Sequence, residues 1–185
     1  MISYDCWANV VSRHGFAADE LVSTLQKMIR RGNAELAARI GYEMSVTSQA
    51  LEDYMWVRLA VISVEDIGPA APYLPALIAA LDEQRKKLPY GTGDRMLFAV
   101  HAIRTLCRSE KTRSNDHLLN IMIREFNAGI LPEIPDVAYD MHTRRGQAMG
   151  RDLMHFLNEA SRVSPEWQGE EPDYKAQLLA LIDKE

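Results

Sequence analysis

Apolar residues recur along this chain at spacings of three and four, and no segment alternates apolar and polar with a period of two. Leu21, Leu25, Met28 and Ile29 stand at i, i+4, i+7 and i+8, one face of an α-helix. The same period returns in Leu51, Tyr54, Met55, Leu59 and Ile62, and again in Leu77, Ile78 and Leu81. It continues in Met96, Leu97, Val100, Ile103 and Cys107, then in Leu118, Ile121, Met122 and Phe126. A side chain period of 3.6 cannot line one face of a sheet, so the pattern predicts an all-α fold.

Glycine and proline mark where these helices stop. Gly32-Asn33 closes the first, and a second is expected from Ala34 to about Met44. Gly68-Pro69 ends a third that begins near Gln49. Pro72 and Pro75 fit in or before the first turn of a fourth, where proline is tolerated. Residues 88–93 form a loop, and Ser114 suits the N-cap of a sixth helix. The Pro-punctuated stretch 131–135 is the best domain boundary. Residues 1–130 are therefore expected as a helical array, and 131–185 as a C-terminal helical extension on the same core. Within that extension helices are expected over 136–145, around Leu153 to Ala160, and from Tyr174 to Ile182, with an acidic loop at 165–172.

With 185 residues, 47% of them hydrophobic, the chain can bury a core without disulfides or metal. Cys6 and Cys107 lie far apart with no CxxC spacing, which suits a reducing compartment. The N-terminus has no basic and apolar signal pattern, and no apolar run is long enough to span a bilayer, so a cytoplasmic protein without a membrane partner is expected. A net charge of −5 argues against coating nucleic acid through bulk charge but leaves room for a local basic patch. The sequence has no GxxxxGK[ST] phosphate cradle, HExxH, compact Cys/His set or GxSxG elbow. The expectation is a protein that is not an enzyme and holds no cofactor or metal.

Three segments carry a resemblance. Residues 58–68, Arg-Leu-Ala-Val-Ile-Ser-Val-Glu-Asp-Ile-Gly, resemble the RRL-x-x-I-A-S-E-D-I/V-G stretch of replication-associated AAA+ ATPases of the MgsA/RarA type. Upstream, residues 29–37 resemble that family's S-(I/V)-R-G-S-D-x-D-A-A junction. Downstream, residues 99–106 and 111–115 resemble its A-x-x-Y-L-A-x-A-x-K-S-N helix and cap. The match runs over about residues 16–125. Val64 stands where the family has a small residue, Thr112 and Arg113 intervene before Ser114, and the ATPase half and the terminal YPHD segment are absent. The resemblance implies a helical array like the collar of clamp-loader subunits. It also implies a homo-oligomer, dimer or tetramer, and a link to DNA replication or repair.

Several side chains are candidates for a site. Arg58 and Glu65 are seven apart on one helix face, and with Asp66 they are expected to form a structural or interaction motif. His142, Arg144, Arg145 and Arg151 lie in a stretch with no acid from Met141 to Gly150, flanked by Gly146 and Gly150. Arginine forks suit phosphate oxygens, so this segment is a candidate contact for nucleic acid or phosphate. The competing expectation is that these arginines cap a helix and pair with Glu166, Glu170, Glu171 and Asp173. Arg104, Arg108, Lys111 and Arg113 form a second basic group. An alternative function is a small enzyme or ligand-binding protein with Asp136, Asp140, His142 and Arg144 converging, with His155 near them. Self-association is expected through the helices around Leu51 to Leu81, and Trp56 marks its helix as central or at an interface.

Overall fold

The computed structural model describes residues 7, 9–170 and 172–182. Among these residues the chain is helical and has no strand. Val11 and Ala17 meet in one isolated bridge. Cys6 and Glu171 lie outside the described residues. The chain divides into two compact units, Met1–Ile130 and Leu131–Glu185.

The first unit is built from α1 (Ala18–Arg30), α2 (Ala34–Thr47), α3 (Gln49–Ile62), α4 (Leu74–Arg85), α5 (Gly93–Arg108) and α6 (Ser114–Asn127). Two of the starts carry a side-chain cap, and Ser114, expected as the N-cap of α6, is instead its first residue, with Arg113 at the N-cap and no side-chain cap bond. The Asn33 side chain accepts from the Leu36 amide at 3.2 Å, and Ser48 Oγ accepts from the Leu51 amide at 3.1 Å. Asp19 and Glu20 sit in the first turn of α1, and Lys27 and Arg30 in its last, as the helix dipole favours. Pro75 occupies the first turn of α4.

The core is filled by Leu25 and Ile29 of α1, Met44 of α2, Leu51, Met55, Leu59 and Ile62 of α3, Leu74 and Ile78 of α4, and Ile103 and Leu106 of α5. Burying each such side chain contributes about 1.5–3 kcal/mol. Trp56 is 2% exposed, which makes α3 a central helix. The buried apolar residues from Leu51 to Ile78 fill the chain's own core, while Val57, Val64 and Tyr73 of the same stretch stay exposed.

Helix α3 runs on into a wide, π-type turn, Ser63–Ile67, and then a 3-10 turn, Gly68–Ala70. Gly68 has φ of 56°, and a Cβ there would stand 2.9 Å from the Thr112 carbonyl oxygen. Only glycine combines that backbone with so close an approach. The Thr112 amide donates to the Ile67 carbonyl at 3.2 Å and ties the segment before α6 to this turn.

Two faces differ from the pattern in the sequence. Helix α5 points inward with Arg95, Ala99, Ala102, Ile103, Leu106 and Cys107, while Leu97 is 64% exposed. Small alanines let α5 lie close to its neighbours, and a count of large apolar residues misplaces the face. Helix α6 buries no residue at all.

The second unit holds a 3-10 turn, Asp136–Ala138, then α7 (Arg144–Ala148), α8 (Leu153–His155) with a wide turn Phe156–Ala160 after it, and α9 (Tyr174–Ile182). The helix expected over 136–145 does not form. The Asp140 carboxylate accepts from the His142 amide at 3.0 Å, which makes a local turn. Thr143 Oγ1 then accepts from the Gly146 amide at 3.0 Å and starts α7. Gly146 lies on the backbone of Asp140, where a Cβ would come within 1.9 Å of the Asp140 carbonyl oxygen.

Candidate functional site

Asp66 has no solvent exposure and sits in the wide turn that ends α3. A buried carboxylate needs charged or hydrogen-bonding partners, and here α1 supplies two of them. Arg30 Nε donates to one oxygen at 2.6 Å, and Gln26 Nε2 donates to the other at 2.9 Å. Arg113 Nε lies 3.3 Å from the first oxygen, an ion-pair contact without hydrogen-bond alignment. Glu65 faces Arg30 at 3.5 Å, Arg113 at 3.4 Å and Arg58 at 4.0 Å. Arg58 donates to Gln26 Oε1 at 2.8 Å, and Arg113 pairs with Asp116 at 2.6 Å. Asn115 Nδ2 donates to the Val64 carbonyl at 3.1 Å.

Arg58, Glu65 and Asp66 are therefore brought together, with Arg30 and Arg113 added. The wide turn lets the consecutive Glu65 and Asp66 face the same arginines. Three guanidinium groups (Arg30, Arg58, Arg113) meet three carboxylates (Glu65, Asp66, Asp116), so the charge closes. Such a node locks α1, α3 and the start of α6 in register, and its carboxylates are answered within the chain.

Two of the three arginines of the basic segment are answered within the second unit. Arg145 donates to the Tyr139 hydroxyl at 3.0 Å, and its Cζ lies 4.1 Å from the Tyr139 ring centre. Arg151 donates to the carbonyls of Asp136 and Tyr139 at 2.6 and 2.7 Å and pairs with the Asp136 carboxylate. None of the described acids Glu166, Glu170 and Asp173 pairs with these arginines, which corrects the expected tail contacts. Arg144 is exposed and makes no hydrogen bond or ion pair among the described residues. His142 Nδ1 lies 2.9 Å from the Asp140 carboxylate, and its ring meets Phe156 edge-on at 4.9 Å. The bonds from His142 hold the Asp140 pKa below its ordinary value. Asp140 thus pairs with His142 and not with Arg144, and Asp136 is taken by Arg151. Of the four residues of the alternative site only Asp140 and His142 meet, and no group of three or more potential metal ligands occurs among the described residues.

The second basic group separates. Arg113 belongs to the Asp66 node. Lys111 Nζ donates to the carbonyls of Cys107 at 2.8 Å and Ser109 at 2.7 Å, and burial pushes its pKa down. Arg104 and Arg108 remain exposed on α5. Burial also pushes the Cys107 thiol up, which leaves it poorly reactive.

Two polar clusters, each around a buried carboxylate, escape a reading based on apolar period. Glu52 is 1% exposed and lies between Arg85 and Arg95, at 3.1 Å and 2.8 Å. Arg85 also reaches Asp53 at 2.7 Å and Asp82 at 2.8 Å, and its Cζ lies 5.4 Å from the Trp56 ring centre. The available signal was a charged Glu52 beside Leu51 and three residues before Met55, on the inward arc of α3. The second cluster is Ser12, His14 and Glu43. Ser12 Oγ donates to Glu43 at 2.6 Å, the His14 amide donates to the same oxygen at 2.9 Å, and His14 Nδ1 lies 2.6 Å from the other. The serine proton faces a carboxylate and not the histidine, so the trio holds a loop and does not activate a nucleophile. Burial pushes the Glu43 carboxyl up, and the bonds from Ser12 and His14 outweigh it, so its pKa lies below the ordinary 4.5.

The largest unanswered feature is α6. Leu118, Leu119, Ile121, Met122, Ile123 and Phe126 are each 40–55% exposed, and Ile130 beyond it is 60% exposed.

Fold and geometry together define an all-helical chain whose charged node is closed within itself and whose sixth helix is left open. No family model matches this chain, and no curated protein matches it. No helix among the described residues is long and apolar enough to cross a membrane.

Proposed function

We propose that this chain is a non-catalytic association protein that works as a homo-oligomer, with α6 as the contact between copies. The bare apolar face of α6 carries this reading. A helix of fourteen residues is marginal in water without a packed face. Its six large apolar residues span an arc of roughly 200° at the helical repeat, broken by Glu125. At about 90 Å² each they expose, with Ile130, on the order of 600 Å², most of the roughly 800 Å² that each partner gives to a stable interface. An arc that wide outruns one facing helix, which favours a tetramer over a dimer.

The resemblance to the MgsA/RarA oligomerisation region supports the same reading and suggests a setting in DNA replication or repair. Arg30, Glu65 with Asp66, and Arg113, from the stretches 29–37, 58–68 and 111–115 that carry it, meet at the Asp66 node, whose role is then to hold the start of α6 against the array.

Light scattering after size exclusion tests this over a range of concentrations. The expected result is a dimer or tetramer mass. Leu118→Glu combined with Phe126→Glu shifts it to the monomer with circular dichroism unchanged, since neither residue touches the core. A monomer at every concentration, or a double variant that still assembles, overturns the proposal.

A further inference from the structure

Helix α5 carries two arginine side chains that no described residue answers. Arg104 and Arg108 stand at i and i+4 on its outer side, exposed, with no hydrogen bond or ion pair among the described residues. They form the ridge between two hollows. One, of about 600 Å³, lies toward α2, with Ala34 and Ala38 beside Arg39 and Tyr42. The other, of about 390 Å³, lies along α5 and contains Leu97, Val100 and His101. Both hollows contain Arg104 and Arg108. Glu35, the acid in the first hollow, is already held by Arg39 at 2.7 Å. The ridge therefore keeps its positive charge. Toward the start of α5 the exposed charge is Asp94, in a third hollow that shares Leu97 and His101, so the free cations are confined to the last turns of the helix.

We propose that this ridge and its two hollows bind single-stranded nucleic acid, with Arg104 and Arg108 on the phosphates and a base stacked on Tyr42. Arginine forks match phosphate oxygens, and i, i+4 placement aims both to one side of the helix. Tyr42 is 55% exposed beside them, and an exposed aromatic ring next to a cationic track is what a single strand uses. The two arginines stand one turn apart, about 6 Å along the axis, a spacing that fits neighbouring phosphates of one strand. A free nucleotide would occupy one hollow and leave the other unused. The net charge of −5 repels nucleic acid at a distance, so attraction is confined to this ridge and is salt-sensitive.

Fluorescence anisotropy of a labelled oligothymidylate with the full chain tests this across a salt series. The expected result is binding that weakens as salt rises. Arg104→Ala with Arg108→Ala lowers the log–log salt slope by about 1.4, since each phosphate contact on a single strand contributes about 0.7. Tyr42→Ala weakens binding about five-fold or more with the slope unchanged, and Tyr42→Phe restores it. All four positions tested are exposed or conservative, so folding is checked by circular dichroism alone. The proposal is overturned if the oligonucleotide does not bind, or if Arg144→Ala removes binding while the α5 double variant keeps it. It is also overturned if thymidine monophosphate or polyglutamate competes as well as an unlabelled strand.

Discussion

At the scale of single residues, the buried ions set the stability of the first unit. Arg85 keeps Asp53 and Asp82 if Glu52 loses its charge. Arg95 does not, because its contact with Asp53 is 4.0 Å and its remaining bonds go to carbonyls such as Leu88 at 3.0 Å. The bond to Glu52 raises the Arg95 pKa against burial, and a guanidinium keeps its charge even without that bond. Glu52→Gln therefore strands a guanidinium that is 4% exposed. Breaking a buried pair this way costs about 3–5 kcal/mol. By contrast, Arg39→Ala removes an exposed pair with Glu35 and costs under about 0.5 kcal/mol. Urea unfolding of the two variants checks the contrast, and equal losses would refute it. Glu43 makes a second test. Its folded pKa is lowered, so the stability it gives is full above the unfolded value of 4.5 and is lost as pH falls through the folded value. Denaturation midpoints measured from pH 7 to pH 3 should fall more steeply in the native chain than in Glu43→Gln. Parallel curves would show that Glu43 is not the titrating group.

At the scale of elements, the 3.6-residue period and the punctuation by glycine, proline and cap residues account for α1 to α4 with little left over. The inward faces of α5 and α6 were not legible, for opposite reasons. In α5 the close packing is done by Ala99 and Ala102, and a buried Arg95 sits where a pattern of large apolar residues would not place it. In α6 the pattern is strong, and the sequence cannot say whether such a stripe faces its own chain or another. The Asp66 node was half legible. Arg58, Glu65 and Asp66 stood out on one segment, but Arg30 and Arg113 arrive from 36 and 47 residues away and only the wide turn at 63–67 brings them to the same carboxylates. In the second unit, Thr143 and Asp140 compete with the helix for backbone amides, and that local contest ended the helix expected over 136–145.

At the scale of the whole molecule, the proposed self-association through α6 would link folding to assembly. A surface that binds only in the folded state adds stability that grows with the concentration of its partner, here the chain itself. The core of the first unit is complete without α6, since none of that helix's residues is buried. The first unit is therefore expected to fold as a monomer, with α6 as the least protected of its helices. Two consequences can be measured on the same sample. The thermal midpoint of the native chain should rise with protein concentration, while that of the Leu118→Glu, Phe126→Glu variant stays flat. Amide exchange in residues 117–127 should slow as concentration rises, with the amides of α3 unchanged. A midpoint independent of concentration together with strong α6 protection in dilute solution would mean that α6 is covered within a single chain, and the link between assembly and stability would fail.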